Sequence, residues 1–120
     1  MNRNDLKRLL VLTEIADDYE EPEHIYENVA AEAKLCGMTI QPLEVMRILV
    51  ELIEGGLARA YRLSGIAPAE LIQGAPELDE LHGYYFRITK KGLEVHSSVA
   101  DQWPFDGEGD LLPNWRAPSE

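Results

Sequence analysis

Cysteine is nearly missing from this chain, with one residue, Cys36, in 120. A lone thiol excludes an intrachain disulfide framework. Cys36 closes an apolar helix face with no His or Lys beside it in sequence, the setting of a small buried hydrophobe rather than a nucleophile. Positive charge is scarce as well: 11 Lys and Arg stand against 22 Asp and Glu, a formal net charge of −11. Binding to a nucleic-acid backbone draws on counterion release by Lys and Arg, and a field of this sign repels polyanions. No apolar run approaches the ~18 residues that a membrane helix needs. The opening MNRNDLKRLL lacks an apolar segment with a small-residue cleavage site, so no secretory leader and a cytoplasmic location are expected. Catalytic signatures are missing too, including a glycine-rich phosphate loop, Gly-x-Ser-x-Gly and His-Glu-x-x-His. His24, His82 and His96 fall in different segments without ligand-like spacing. A site built on His82 with Asp79 and Glu80 reads more simply as a wet acidic loop. No catalytic residue, cofactor or metal is therefore expected.

What is present is an ordinary globular balance, 45% hydrophobic and 28% charged, enough apolar side chain for the core of one domain. From Asn4 to about Tyr19, Leu6, Leu9, Leu10, Leu12, Ile15 and Ala16 recur at helical spacing. Asn4 reads as the N-cap. Asp17, Asp18, Glu20 and Glu21 sit at the pole that disfavours carboxylates, and predict a stop between Ala16 and Tyr19. Pro22 opens a second helix with Ile25, Val29, Ala30, Ala33 and Cys36 inward, and Gly37 ends it. A third helix follows Pro42. It is apolar around most of its girth, from Leu43 to Ile53, and Gly55-Gly56 ends it. Its polar stripe is Glu44, Arg47, Glu51 and Glu54, with Gln41 preceding it. Arg47, three residues after Glu44 and four before Glu51, is placed to pair within its own helix.

Residues 57–63 and 84–88 read as two strands. The connection from Ser64 to Gly83 is too long for a tight turn, and Pro68 to Ile72 could make one helical turn within it. Thr89 suits an N-cap for a last short helix, Lys90 to His96. Beyond Ser98 the chain loses period: residues 99–120 form an irregular acidic tail that contains both tryptophans. Large aromatics gain much from burial. Trp103, Phe105 and Trp115 are accordingly candidate contacts with a partner, unless the tail folds back over its own core.

Three helices, a strand, a long loop, a second strand and a closing helix follow the order of a winged helix-turn-helix domain. Two segments carry the likeness: Val45 to Arg59, helix through glycine stop into strand, and Tyr84 to Glu94, strand through Thr, basic residues and Gly. On them the chain resembles the winged-helix superfamily over about residues 4–97, with no single family indicated. The resemblance implies a mostly helical α+β fold: a three-helix core, a two-stranded β wing with a long loop, and a short closing helix. The domain would span 1–98 and the tail 99–120.

Domains of this superfamily often set the third helix in the major groove of DNA and the wing against the backbone. The resemblance would give the reading role to Gln41, Glu44, Arg47 and Glu51. Glutamates there supply no phosphate attraction, whereas groove readers need Arg, Lys, Asn or Gln. The wing holds Arg59, Arg62, Arg87, Lys90 and Lys91, five of 11 basic residues. They make either a small phosphate-contacting patch or solvated faces paired with Glu77, Asp79 and Glu80. Arg3, Lys7 and Arg8 form a lesser cluster on the first helix. The favoured expectation is a non-enzymatic regulatory domain that works through protein contacts. The alternative is a dimeric transcription regulator binding DNA through Arg47 and those five wing residues. A homodimer is expected, since Leu9, Leu10, Val11 and Leu12 offer the first helix a contact face beyond its core face.

Overall fold

The computed structural model describes residues 1–118. Its first helix, α1, spans Arg3–Glu14. Asn2 caps it: the Asn2 side chain accepts from the Asp5 N–H at 2.8 Å, and the Asp5 carboxylate accepts from the Asn2 N–H at 3.1 Å. The cap is thus Asn2, not Asn4, and this reciprocal arrangement satisfies two otherwise orphaned donors. The helix also ends earlier than its apolar period suggests. No cation lies in its last turn, and the Ile15 carbonyl accepts from the Ile88 N–H at 3.0 Å, which draws the chain out of the helix and along a strand.

Helices α2 (Pro22–Leu35) and α3 (Pro42–Glu54) both begin on proline and end alike. After α3, Gly56 takes φ +77°, while the Gly56 N–H reaches Ile53 O at 3.0 Å and the Leu57 N–H reaches Leu52 O at 2.8 Å. This is the paired C-terminal closure that requires a left-handed residue, which glycine adopts without a Cβ clash. Gly37 does the same after α2, at φ +78°.

Strands β1 (Ala58–Arg62), β2 (Glu70–Leu71) and β3 (Tyr85–Ile88) form an antiparallel sheet in the order β2-β1-β3. The sheet therefore has three strands and not two. Glu70 and Leu71, expected within a helical turn, instead pair with Arg62 and Tyr61. A 3-10 segment, Leu78–Gly83, buries Leu81 against the core. Helix α4 (Lys90–Ser98) follows, capped by Thr89, whose hydroxyl accepts from the Gly92 N–H at 3.0 Å.

The core lies where α1, α2 and α3 meet the inner sheet face, through Leu10, Ile15, Ile25, Val29, Leu49 and Phe86 among others. Leu9, Leu10, Val11 and Leu12 are all buried within the single chain. The apolar surface that suggested a dimer contact on α1 is covered by the protein's own α2, α3 and α4. The tail, of which Ser119 and Glu120 lie outside the described residues, is also more ordered over residues 99–118 than its sequence implies. A 3-10 turn at Ala100–Gln102 leads to buried Pro104 and Phe105. Leu112 N–H then bonds to Pro104 O at 2.8 Å, and Trp103 and Trp115 pack half-buried on the core.

Candidate functional site

Glu44 carries two functions at the start of α3. One carboxylate oxygen accepts from the Gln41 N–H at 3.1 Å, and the other accepts from the Lys7 ammonium of α1 at 2.8 Å. The Lys7 bond, then the backbone bond, hold this carboxyl below the ordinary carboxylate range. About two turns further along α3, Arg8 of α1 reaches Glu51 at 3.1 Å and also lies 3.6 Å from Asp5. Glu44 and Glu51 of the third helix are thus paired with Lys7 and Arg8 of the first. Arg47 does not pair with either glutamate; among the described residues it makes no ion pair.

With Glu44 and Glu51 turned toward α1, the outward side of α3 presents Leu43, Arg47, Val50 and Glu54 at helical spacing. Leu43 is 47% exposed and Val50 half-buried. Beside Leu43 opens a shallow cleft of about 570 Å³, lined by Pro42, Leu43 and Met46 of α3 and by Glu77, Leu78, Asp79 and His82 of the loop. The surface is half apolar, with one cation and one anion on the helix and further carboxylates at its edge.

Among the described residues the cations on and beside the sheet make no ion pair with Glu77, Asp79 or Glu80. Arg62 stacks on Tyr84, its guanidinium 5.5 Å from the ring centre, and donates to the Tyr84 hydroxyl at 3.4 Å. Arg87 stacks on Tyr19 at 5.0 Å. Lys91 donates to the Gly55 carbonyl at 3.1 Å, satisfying an acceptor at the end of α3. Arg59 and Lys90 are exposed and make no ion pair among the described residues. Of the six candidate nucleic-acid residues, three are thus engaged with aromatic rings or backbone. Stacking on tyrosine leaves an arginine charged and half covered.

His82 does not join Asp79 and Glu80; it bonds the Glu23 carboxylate across to α2. That carboxyl is held below its ordinary range, first by its own backbone N–H and then by His82. Cys36 is buried, and burial together with the nearby Glu32 carboxylate pushes its thiol up to about 11, so the thiolate that would react is scarce. Among the described residues no three His, Cys, Asp or Glu side chains converge as metal ligands do, and no helix is long and apolar enough to cross a membrane. Of the tail aromatics, Phe105 is buried, with the Trp103 ring edge-on at 5.4 Å. Sequence reasoning missed the tyrosines: Tyr19 meets Tyr61 and Arg87, and Tyr84 meets Arg62, contacts that depend on the β1–β3 register and on the Glu20–Phe86 bridge.

Comparison with known proteins returns no matching family model, no similar curated protein and no similar solved structure.

Proposed function

We propose that this chain is a non-enzymatic winged helix-turn-helix domain that acts in a regulatory setting through protein contacts, with the outward face of α3 as a partner-binding surface. The observation that carries this reading is the pairing of Lys7 with Glu44 and Arg8 with Glu51. It engages Lys7 and Arg8 within the domain, and leaves outward a strip that is apolar at Leu43 and Val50. The order of three helices, glycine stop, sheet and closing helix supports the winged-helix assignment. The partner that fits is an amphipathic protein segment, apolar on one side and basic at its flanks, since Glu77 and Asp79 edge the cleft beside Leu43.

A second reading, DNA binding by a dimer through the wing, has one observation in its favour: Arg59 and Arg87 lie side by side and exposed on the sheet. Fluorescence anisotropy with labelled duplexes at low salt separates the two. The expected result is no binding that falls with added salt up to tens of micromolar protein. Micromolar affinity that weakens steeply with salt, and is lost on Arg59→Glu, would replace the first reading with the second.

A further inference from the structure

We propose that the outer face of the sheet docks a second copy of this chain, in a two-fold contact that sets the arginines of one protomer against the acidic α1–α2 connector of the other. This surface shares no residue with the outward face of α3, and the inference does not depend on the function proposed above.

Two cross-strand pairs of the sheet point away from the core. The β1–β3 register places Arg59 directly across from Arg87, and Tyr61 across from Tyr85. Their neighbours Ala58, Ala60, Phe86 and Ile88 are buried, so these four side chains lie on the opposite face. Like charges directly opposed weaken an antiparallel pair, yet neither arginine makes an ion pair among the described residues. Over the same face lies Tyr19, edge-on to Tyr61 with ring centres 5.0 Å apart, and Arg87 stacks on its ring.

Opposite charge stands close by. The connector is fastened to β3 at two points: Ile88 N–H to Ile15 O at 3.0 Å, and Phe86 N–H to Glu20 O at 2.8 Å. Between them the chain bows outward through Asp17 and Asp18, alongside Arg87, which sits between Phe86 and Ile88. Both aspartates are exposed, and they follow the negative pole of α1. Neither makes an ion pair among the described residues.

The face thus carries two charge sets of opposite sign, each unfavourably placed in the isolated chain, around half-buried tyrosines. A two-fold contact is self-complementary: whatever residue i meets on its partner, the partner meets on it. One such rotation sets Arg59 and Arg87 against Asp17 and Asp18 twice, and covers the tyrosines between. Tyrosine and arginine are the residue types that interfaces favour at their centres. An acidic peptide would relieve the arginines only. A nucleic acid would meet Asp17, Asp18 and Glu21 at the same place.

Light scattering coupled to size exclusion, at tens of micromolar protein and low salt, tests the contact. The full chain should elute at twice its own mass. The pair Arg59→Glu with Arg87→Glu should give a monomer, and so should Asp17→Arg with Asp18→Arg. Mixing the two variants should restore the doubled mass, because each now presents what the other lacks. A monomeric parent chain, a dimer untouched by both variants, or two folded variants that stay monomeric when mixed would each overturn the proposal. A monomer that binds RNA or DNA through Arg59 and Arg87 would overturn it as well. If circular dichroism shows that a reversal has lost the fold, Arg87→Gln and Asp18→Asn take its place. Each should then raise the dissociation constant at least tenfold, and an unchanged constant would refute the contact.

Discussion

A Cβ placed on Gly92 would lie 2.2 Å from the Leu57 carbonyl oxygen and 2.6 Å from the Ile88 side chain. This close approach is part of a seam. The Thr89 N–H bonds to the same Leu57 oxygen at 3.0 Å, the Thr89 hydroxyl bonds to Gly56 O at 2.7 Å, and Lys91 reaches Gly55 O. The first turn of α4 is therefore fastened to the chain just after α3. Gly92→Ala adds intrinsic helix preference of about 1 kcal/mol, but it must push backbone apart in a packed site, which costs about 1–3 kcal/mol and more where nothing can yield. The clash wins: the variant should lose about 2 kcal/mol or more in urea unfolding. A midpoint equal to or above that of the parent chain would show that α4 does not seat on Leu57.

The elements that the sequence shows clearly are those whose signal is local. Pro22 and Pro42 start helices, Gly37 and Gly56 end them through φ +78° and +77°, and Thr89 caps α4. What the sequence conceals depends on partners far along the chain. Glu70 and Leu71 become a strand only because β1 offers an edge. The α3 stripe of Glu44, Arg47 and Glu51 suggests pairing along one helix, whereas Lys7 and Arg8 arrive from some 40 positions away and take both acids. The tyrosine and arginine face is hidden for the same reason, since Tyr19 joins Tyr61 and Arg87 only through the pairing of Glu20 with Phe86.

The Lys7–Glu44 pair should show itself in the pH dependence of stability. The carboxyl is depressed in the folded chain by Lys7, so its contribution is present above the unfolded carboxylate pKa and is lost as pH falls through the folded one. Lys7 is 17% exposed and Glu44 39%, which places the pair at the upper end of surface bridges, about 0.5–1 kcal/mol. Lys7→Met should cost that much at neutral pH and almost nothing in acid, where Glu44 is protonated. An equal loss at both pH values would assign the effect to packing of the lysine stem instead.

Glu32 should act with the opposite sign. One of its oxygens is buried without a hydrogen-bond partner. Burial, and then the charge of Glu14, push its carboxyl up from 4.5 to about 7. Between those values the folded chain holds a proton that the unfolded chain has released, so stability falls as pH rises across that window. The side chain is only partly enclosed, and after solvent screening the gain from removing the charge is about 1 kcal/mol. Glu32→Gln should therefore be the more stable protein above pH 7, and should converge on the parent near pH 4. Thermal unfolding at both pH values reads this directly, and a variant less stable at every pH would show that the carboxylate has a partner.

Phe105 decides whether the tail belongs to the domain. Its side chain is 7% exposed within the main core, and the backbone bonds from Leu112 to Pro104 and from Asp106 N–H to Asp110 O close a loop around it. Truncating a buried phenylalanine costs about 3–5 kcal/mol, the larger figure where the cavity cannot collapse. A short tail held by one aromatic should relax more readily than a core helix, so about 3 kcal/mol is the expected loss for Phe105→Ala. Both tryptophans lie in the same segment and report on it. In the parent chain, tryptophan emission and far-ultraviolet dichroism should change together along a urea titration, because Phe105 of the tail shares the core of α1 to α3 and the sheet. In Phe105→Ala the emission should shift to longer wavelength before the helices melt. A parent chain whose tryptophans are fully wet before any helix is lost would mean that residues 99–118 pack on something other than this domain.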